Sequence, residues 1–197
     1  VTRLLALMLL VAALLAGCGT DEPQDRAAGS AQSPPGAAAD ALLAEHGLDG
    51  MEAVEIVDHL DRMPVAARPT DLMASVRPDV LVLSADGTEV GMELPEDEFY
   101  LSFAPWVEET HDCFHHSLTT CRGELRSEQL EVRIVDETHD EVLVDEVLTS
   151  FDNGFVGVWL PRDIEATLRV DHDGRVGETR ISTDVEAPTC LTTLRLA

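Results

Sequence analysis

The sequence predicts an α+β fold: a small N-terminal helical subdomain followed by an antiparallel β-sandwich or barrel-like domain. Three observations lead there. Apolar residues recur at helical spacing up to about Val76, the period switches to strict alternation after Pro78, and Gly, Pro, Asn and Asp punctuate the alternating segments. At 197 residues the chain accommodates one domain with appendages and needs no staple on grounds of size.

The chain opens with VTRLLALMLLVAALLAGC, which has one early charge at Arg3 and an uninterrupted apolar run from Leu4 to Ala16. A spanning helix needs about 20 apolar residues, so this run suits the central region of an export signal instead. It closes on Leu15-Ala16-Gly17-Cys18, which resembles the lipobox of bacterial lipoproteins. The resemblance implies that residues 1–18 are a lipoprotein signal and that Cys18 is lipidated, anchoring the protein to a membrane through two or more acyl chains. An ordinary signal peptide with an incidental cysteine is the alternative. Residues 19–39, rich in Gly, Pro, Ala and Ser, read as a flexible tether whose end-to-end distance is roughly 25 Å. The expected location is extracytoplasmic, beside the membrane.

Residues 40–78 form the expected helical subdomain. ALLAEHGL is a short apolar-faced segment ended by Gly47; Asp49 or Gly50 caps MEAVEIVDHLDRM, where Val54, Val57 and Leu60 mark the apolar face, and Pro64 stops it. Thr70 or Asp71 then sets up a third helical turn, DLMASV. Residues 79–197 form the expected β-rich domain. Asp86-Gly87 joins LVLS to TEVGMEL as a hairpin. Strands follow at FYLSFAP, GELRSEQLEVRIVD, EVLVDEVLTS, FVGVWL, IEATLRVD, VGETRIST and CLTTLRL. VDHDGRV is read as another Asp-Gly hairpin rather than a cation site, and Pro95–Glu98 as a solvated loop without calcium-loop spacing.

Charge narrows the function classes. Against 38 acidic residues stand 13 arginines and no lysine, for a net charge of −25. Lysine-based Schiff-base chemistry and a phosphate-loop lysine are excluded, and nucleic acid is repelled while cations are attracted. Ser117 lacks the Gly-x-Ser-x-Gly elbow, and no nucleotide fingerprint is present.

The densest chemistry is HDCFHHSLTTC, His111 to Cys121. With Cys18 assigned to lipid, the four cysteines reduce to Cys113, Cys121 and Cys190, an odd number in a compartment that favours pairing. A Cys113–Cys121 disulfide with a buried free Cys190, a thiol redox pair, and a metal site of thiolates with imidazole all remain open. An extended 111–115 segment would put His111, Cys113 and His115 on one face and His116 on the other. Thiolate and imidazole donors suit Cu(I) or Zn(II).

The run CFHHSLTTCRGEL, Cys113 to Leu125, resembles the CueP family of cell-envelope copper-binding proteins, as do HGLDGMEAVEIVDHLD and a third cysteine near the C-terminus. The resemblance spans roughly Leu42 to the end. It implies a copper-tolerance protein in which Cys113, Cys121 and Cys190 are thiolate ligands of Cu(I) and electron donors for reduction of Cu(II), with His116 as the imidazole partner. His115 and His111 are not assigned by it, nor are His46, His59, His139 and His172. It further implies partners: copper ions, a thiol reductant and an envelope copper enzyme. Known members are soluble and periplasmic, whereas the lipobox here makes a tethered protein suited to capture at the membrane surface. A structural or adhesive β module stapled by Cys113–Cys121, and a zinc-binding lipoprotein, are the competing readings.

Overall fold

The computed structural model describes residues 35–197; the expected export signal, Cys18 and all but the last residues of the expected tether lie outside them. Helix α1, Pro35–Glu45, begins five residues before the expected start and stops ahead of Gly47, whose φ is +67°. Helix α2, Ala53–Arg62, begins behind Glu52, whose backbone N–H is held by the Glu55 carboxylate at 2.9 Å. Its buried face is Ala53, Ile56, Val57, Leu60 and Asp61, so Val54 lies to one side of the stripe and a carboxylate lies within it. Among the described residues no helix is long and apolar enough to cross a membrane.

DLMASV, expected as a helical turn, is instead strand β1, Met73–Val76. Leu72, Ala74 and Val76 are buried while Met73 is 52% exposed, a period-two pattern that overrides the cap signal at Thr70 and Asp71. The chain continues as β2, Val80–Ala85; β3, Thr88–Glu93; β4, Glu98–Phe103; β5, His116–Ser117; β6, Gln129–Asp136; β7, Glu141–Thr149; β8, Val156–Pro161; β9, Glu165–His172; β10, Arg175–Ser182; and β11, Cys190–Leu191. Both Asp-Gly pairs are hairpin turns with positive φ at each residue, 48° and 79° at Asp86-Gly87 and 53° and 76° at Asp173-Gly174.

The strands form three sheets, ordered β3-β2-β1-β5, β10-β9-β6-β7 and β11-β4-β8. The pairing is antiparallel apart from β11 with β4, where Cys190 lies beside Ser102 and Leu191 beside Phe103 in parallel. The architecture is therefore α+β, with two helices ahead of antiparallel sheets.

Strand β4 is buried on both faces and serves two cores. Phe99, Leu101 and Phe103 pack with Leu130, Val132 and Ile134 of β6 and with the inward residues of β9. Tyr100, pointing the other way, joins Leu42, Ile56, Val57 and Leu60 of the helices and Leu81 and Leu83 of β2. Each fully buried aliphatic or aromatic side chain contributes about 1.5–3 kcal/mol through removal from water. Tyr100 fits because residue 157 on the paired strand is glycine: a Cβ there would lie 1.8 Å from the Tyr100 hydroxyl oxygen. Gly157→Ala should therefore cost about 1–3 kcal/mol in urea unfolding through overpacking. A variant as stable as the parent would show that Tyr100 is free to move aside.

Candidate metal centre

The centre is built on Asp61, which is fully buried near the end of α2. Its Oδ2 accepts hydrogen bonds from the Tyr100 hydroxyl at 2.6 Å and the Ser102 hydroxyl at 3.3 Å. Its Oδ1 accepts from Asn153 Nδ2 at 2.8 Å and lies 3.0 Å from His116 Nε2, with the Arg68 guanidinium at 3.5 Å. A carboxylate at this position is tolerated only because every direction is answered by a donor.

Each donor has its own support. Ser102 follows Tyr100 by two on β4, which brings both side chains to the helix-facing side. Asn153 sits in the turn before β8, and its Oδ1 accepts the Phe155 N–H at 2.9 Å. Gly154, at φ +81°, presses its turn against Gly123, where an added Cβ at 154 would meet the Gly123 carbonyl oxygen at 2.6 Å. Arg68 spans from the Asp61 carbonyl, 3.1 Å away, to the Cys121 carbonyl at 3.2 Å, so it ties α2 to the cysteine loop.

The HSLTTC segment folds as strand β5 followed by a tight turn. His116 pairs with Val76 of β1, and its backbone N–H donates to Thr189 Oγ1 at 3.0 Å. Leu118 is buried in the core while its N–H donates to the Ala74 carbonyl at 2.9 Å. Cys121 N–H returns to the Ser117 carbonyl at 3.1 Å, and the Ser117 N–H points at Cys121 Sγ at 3.4 Å. Glu124, just beyond, accepts the backbone N–H groups of Val107 and Glu108 at 2.8 Å and 3.1 Å, fixing the approach to His111.

Cys113, Cys121 and Cys190 are free thiols, and Cys113 and Cys121 sulfurs lie 3.5 Å apart in hydrogen-bond contact. Cys190 arrives on β11 with its N–H on the Phe114 carbonyl at 3.0 Å. Two groups of donors result, each with its atoms within 4.8 Å of one another: His111, Cys113 and Cys121, and His116, Cys121 and Cys190. Cys121 is common to both, and neither contains all three sulfurs. His115 belongs to neither and lies edge-on to exposed Phe114, ring centroids 4.9 Å apart. Residues 111–115 are not a strand, so the expected one-face arrangement does not arise; loop geometry brings His111 and Cys113 together without His115.

Phe155 contacts both imidazoles, 4.6 Å from the His116 ring and 6.1 Å from that of His111, centroid to centroid. With Nε2 of His116 taken by Asp61, its Nδ1 is buried and unpartnered; His111 Nε2 is likewise enclosed without a partner. A carboxylate on the far ring nitrogen of a histidine is the arrangement that orients metal-ligating imidazoles. Two sulfurs and one nitrogen in each group form a soft donor set, fitted to Cu(I) and acceptable to Zn(II).

Electrostatics favour the thiolate form at Cys121 over its two neighbours. The Cys113 and Cys190 thiols beside it, opposed by burial and aided by His116, hold Cys121 well below the usual thiol range. Cys113 is pushed up to about 12, chiefly through its hydrogen bond to Cys121, and Cys190 is raised by the same pair of neighbours. Burial disfavours a charged His116, yet Asp61 and Cys121 raise it to about 9. Burial also opposes ionisation of Asp61, but His116, Tyr100 and Asn153 hold it below the carboxylate range.

Sequence reasoning missed Asp61, Arg68 and Asn153. One signal was available: Asp61 stands four residues after Val57, on the apolar stripe of α2. Asp61→Ala should cost the reduced, metal-free protein about 3–5 kcal/mol in chemical denaturation, the toll of stranding buried partners. A loss of only about 1 kcal/mol, the size of an exposed pair, would remove Asp61 from this role. His116 titrates at about 9 in the folded protein, above the unfolded value. Its contribution is thus complete below about pH 6.5 and lost as pH rises through 9, about 3 kcal/mol at 1.36 kcal/mol per unit. Asp61→Asn should flatten that dependence; an unchanged slope would contradict the pairing.

Comparison with known proteins bears on this geometry directly. A search of curated protein sequences gave no match. The family model described as "Periplasmic copper-binding protein CueP" matches residues 55–195, which include Asp61, His111, His116 and all three cysteines of the centre. The crystal structure of S.CueP is similar at 40% sequence identity and a TM-score of 0.75, over 81% of this chain and 97% of that one. The chain therefore belongs to the CueP family of periplasmic copper-binding proteins.

Proposed function

We propose that the protein captures copper at the membrane surface of the cell envelope, binding Cu(I) through Cys113, Cys121, Cys190 and His116 and reducing Cu(II) with the same thiols. The observation that carries this is the position of Cys121: its sulfur lies beside a second thiol, a third thiol and an imidazole held by Asp61. Soft sulfur donors select Cu(I) over hard cations, and the net charge of −25 concentrates cations around the protein. Zn(II) accepts the same donors and is expected to bind more weakly than Cu(I).

Reduction balances with the pair already in contact. Cys113 and Cys121 join in a disulfide, giving two electrons; two Cu(II) ions each take one, and the single proton, on the Cys113 sulfur, leaves to solvent. A thiol reductant of the envelope then restores the pair, and an envelope copper enzyme is the class of recipient for the metal. Lipidation of Cys18 makes the protein a tethered collector rather than a diffusing shuttle.

Cys113→Ser, Cys121→Ser and Cys190→Ser should each weaken Cu(I) binding by about tenfold or more in competition with a chromogenic chelator. If all three retain wild-type binding, copper capture by this centre is wrong, and a permanent Cys113–Cys121 disulfide in the exported protein would favour a structural staple. Mixing Cu(II) with the fully reduced protein should generate Cu(I) as free thiols fall; constant thiol titres would exclude reduction. Cys18→Ser should abolish labelling by a radiolabelled fatty acid and release the processed protein from membranes, and retained labelling would place the anchor elsewhere.

A further inference from the structure

The two donor groups differ in their access to solvent. His111 and Cys113 are half-buried, and with Cys121 they line an open cleft. His116, Cys121 and Cys190 are 0%, 8% and 2% exposed, and neither His116 nor Cys190 reaches the cleft wall. Cys121 is the one donor that belongs to both the exposed and the enclosed group. His111 has no hydrogen-bond partner for its enclosed Nε2, while its ring meets that of Phe155 edge-on, centroids 6.1 Å apart. An imidazole nitrogen held out of water with nothing to bind is costly unless a ligand satisfies it.

We propose that the centre has two successive metal positions sharing the Cys121 sulfur with Cys113 beside it: an outer entry position completed by His111, and an inner holding position completed by His116 and Cys190. The inference rests on the copper reading above and adds His111 as an entry ligand. A thiolate binds at about 2.3 Å, so an ion held between Cys113 and Cys121 can exchange His111 for His116 and Cys190 without leaving those sulfurs. The ion is never released to solvent between the two positions. No electron is exchanged in the step; Cu(I) keeps its oxidation state and only its donors change.

The experiment follows Cu(I) uptake from a chromogenic chelator by stopped flow in the full, reduced protein, with imidazole 15N spectra of the loaded state. His111→Gln should slow uptake by about tenfold or more while the equilibrium affinity stays close to wild type. His111→Met, which returns a soft donor, should restore the rate, and His115→Ala should leave it unchanged. In the loaded wild type the His116 resonances should carry the metal perturbation; in Cys190→Ser, which lacks the inner position, the perturbation should move to His111. Equal uptake rates for wild type and His111→Gln, perturbation of His111 in the loaded wild type, or two ions held per chain at equilibrium would each overturn the proposal. Failure of the wild type to bind Cu(I) at all would instead sink the copper reading on which it rests.

Discussion

One buried carboxylate organises this molecule. Asp61 receives donors from β4, from β5, from the turn before β8 and from the residue that leaves the first helical region. The charges alternate outward from it: Arg68 and His116 positive around Asp61, then the Cys121 thiolate beside His116. Such a cluster is close to neutral as a unit, which is what allows four ionic groups to share a water-poor interior. It also means that the chemistry of the sulfur is set by a helix remote from it in sequence, since Asp61 and His116 are 55 residues apart.

The fold was legible where local rules act alone. Alternation in β6 is regular, with Leu130, Val132, Ile134 and Asp136 buried between exposed or half-buried neighbours, and the Asp-Gly hairpins followed from the turn chemistry of two residues. It was less legible where a short segment carried two signals. Leu72, Ala74 and Val76 alternate, but Thr70 and Asp71 before them look like a helix cap, and only pairing with β2 and β5 decides the outcome. CLTTLRL yields two strand residues rather than seven because its partner, β4, accepts it in parallel only at Ser102 and Phe103.

The site was legible as an inventory and not as an arrangement. The family resemblance of HSLTTC singled out Cys121 and His116 and pointed to the third cysteine, Cys190, and these three donors lie together in the structure. What no spacing rule supplies is the partition of donors into two overlapping groups. That depends on long-range contacts: β11 carries Cys190 to β4, and Asp61 holds the His116 imidazole. The middle of the motif is likewise architectural: Leu118 anchors in the core, Ser117 and Thr120 share a hydroxyl contact at 2.6 Å, and the turn they close aims Cys121 inward.

The parallel pairing of β11 with β4 gives the centre a dependence on folding order. Its outer donors come from one short stretch and assemble with that loop. Cys190 joins only after the C-terminal strand has docked on β4 and Thr189 has bridged His116 and the Val76 carbonyl. A chain emerging N-terminus first thus gains its enclosed donor group last. Any ion held there stabilises the docked terminus by mass action, so metal occupancy and completion of the fold are two readings of one equilibrium.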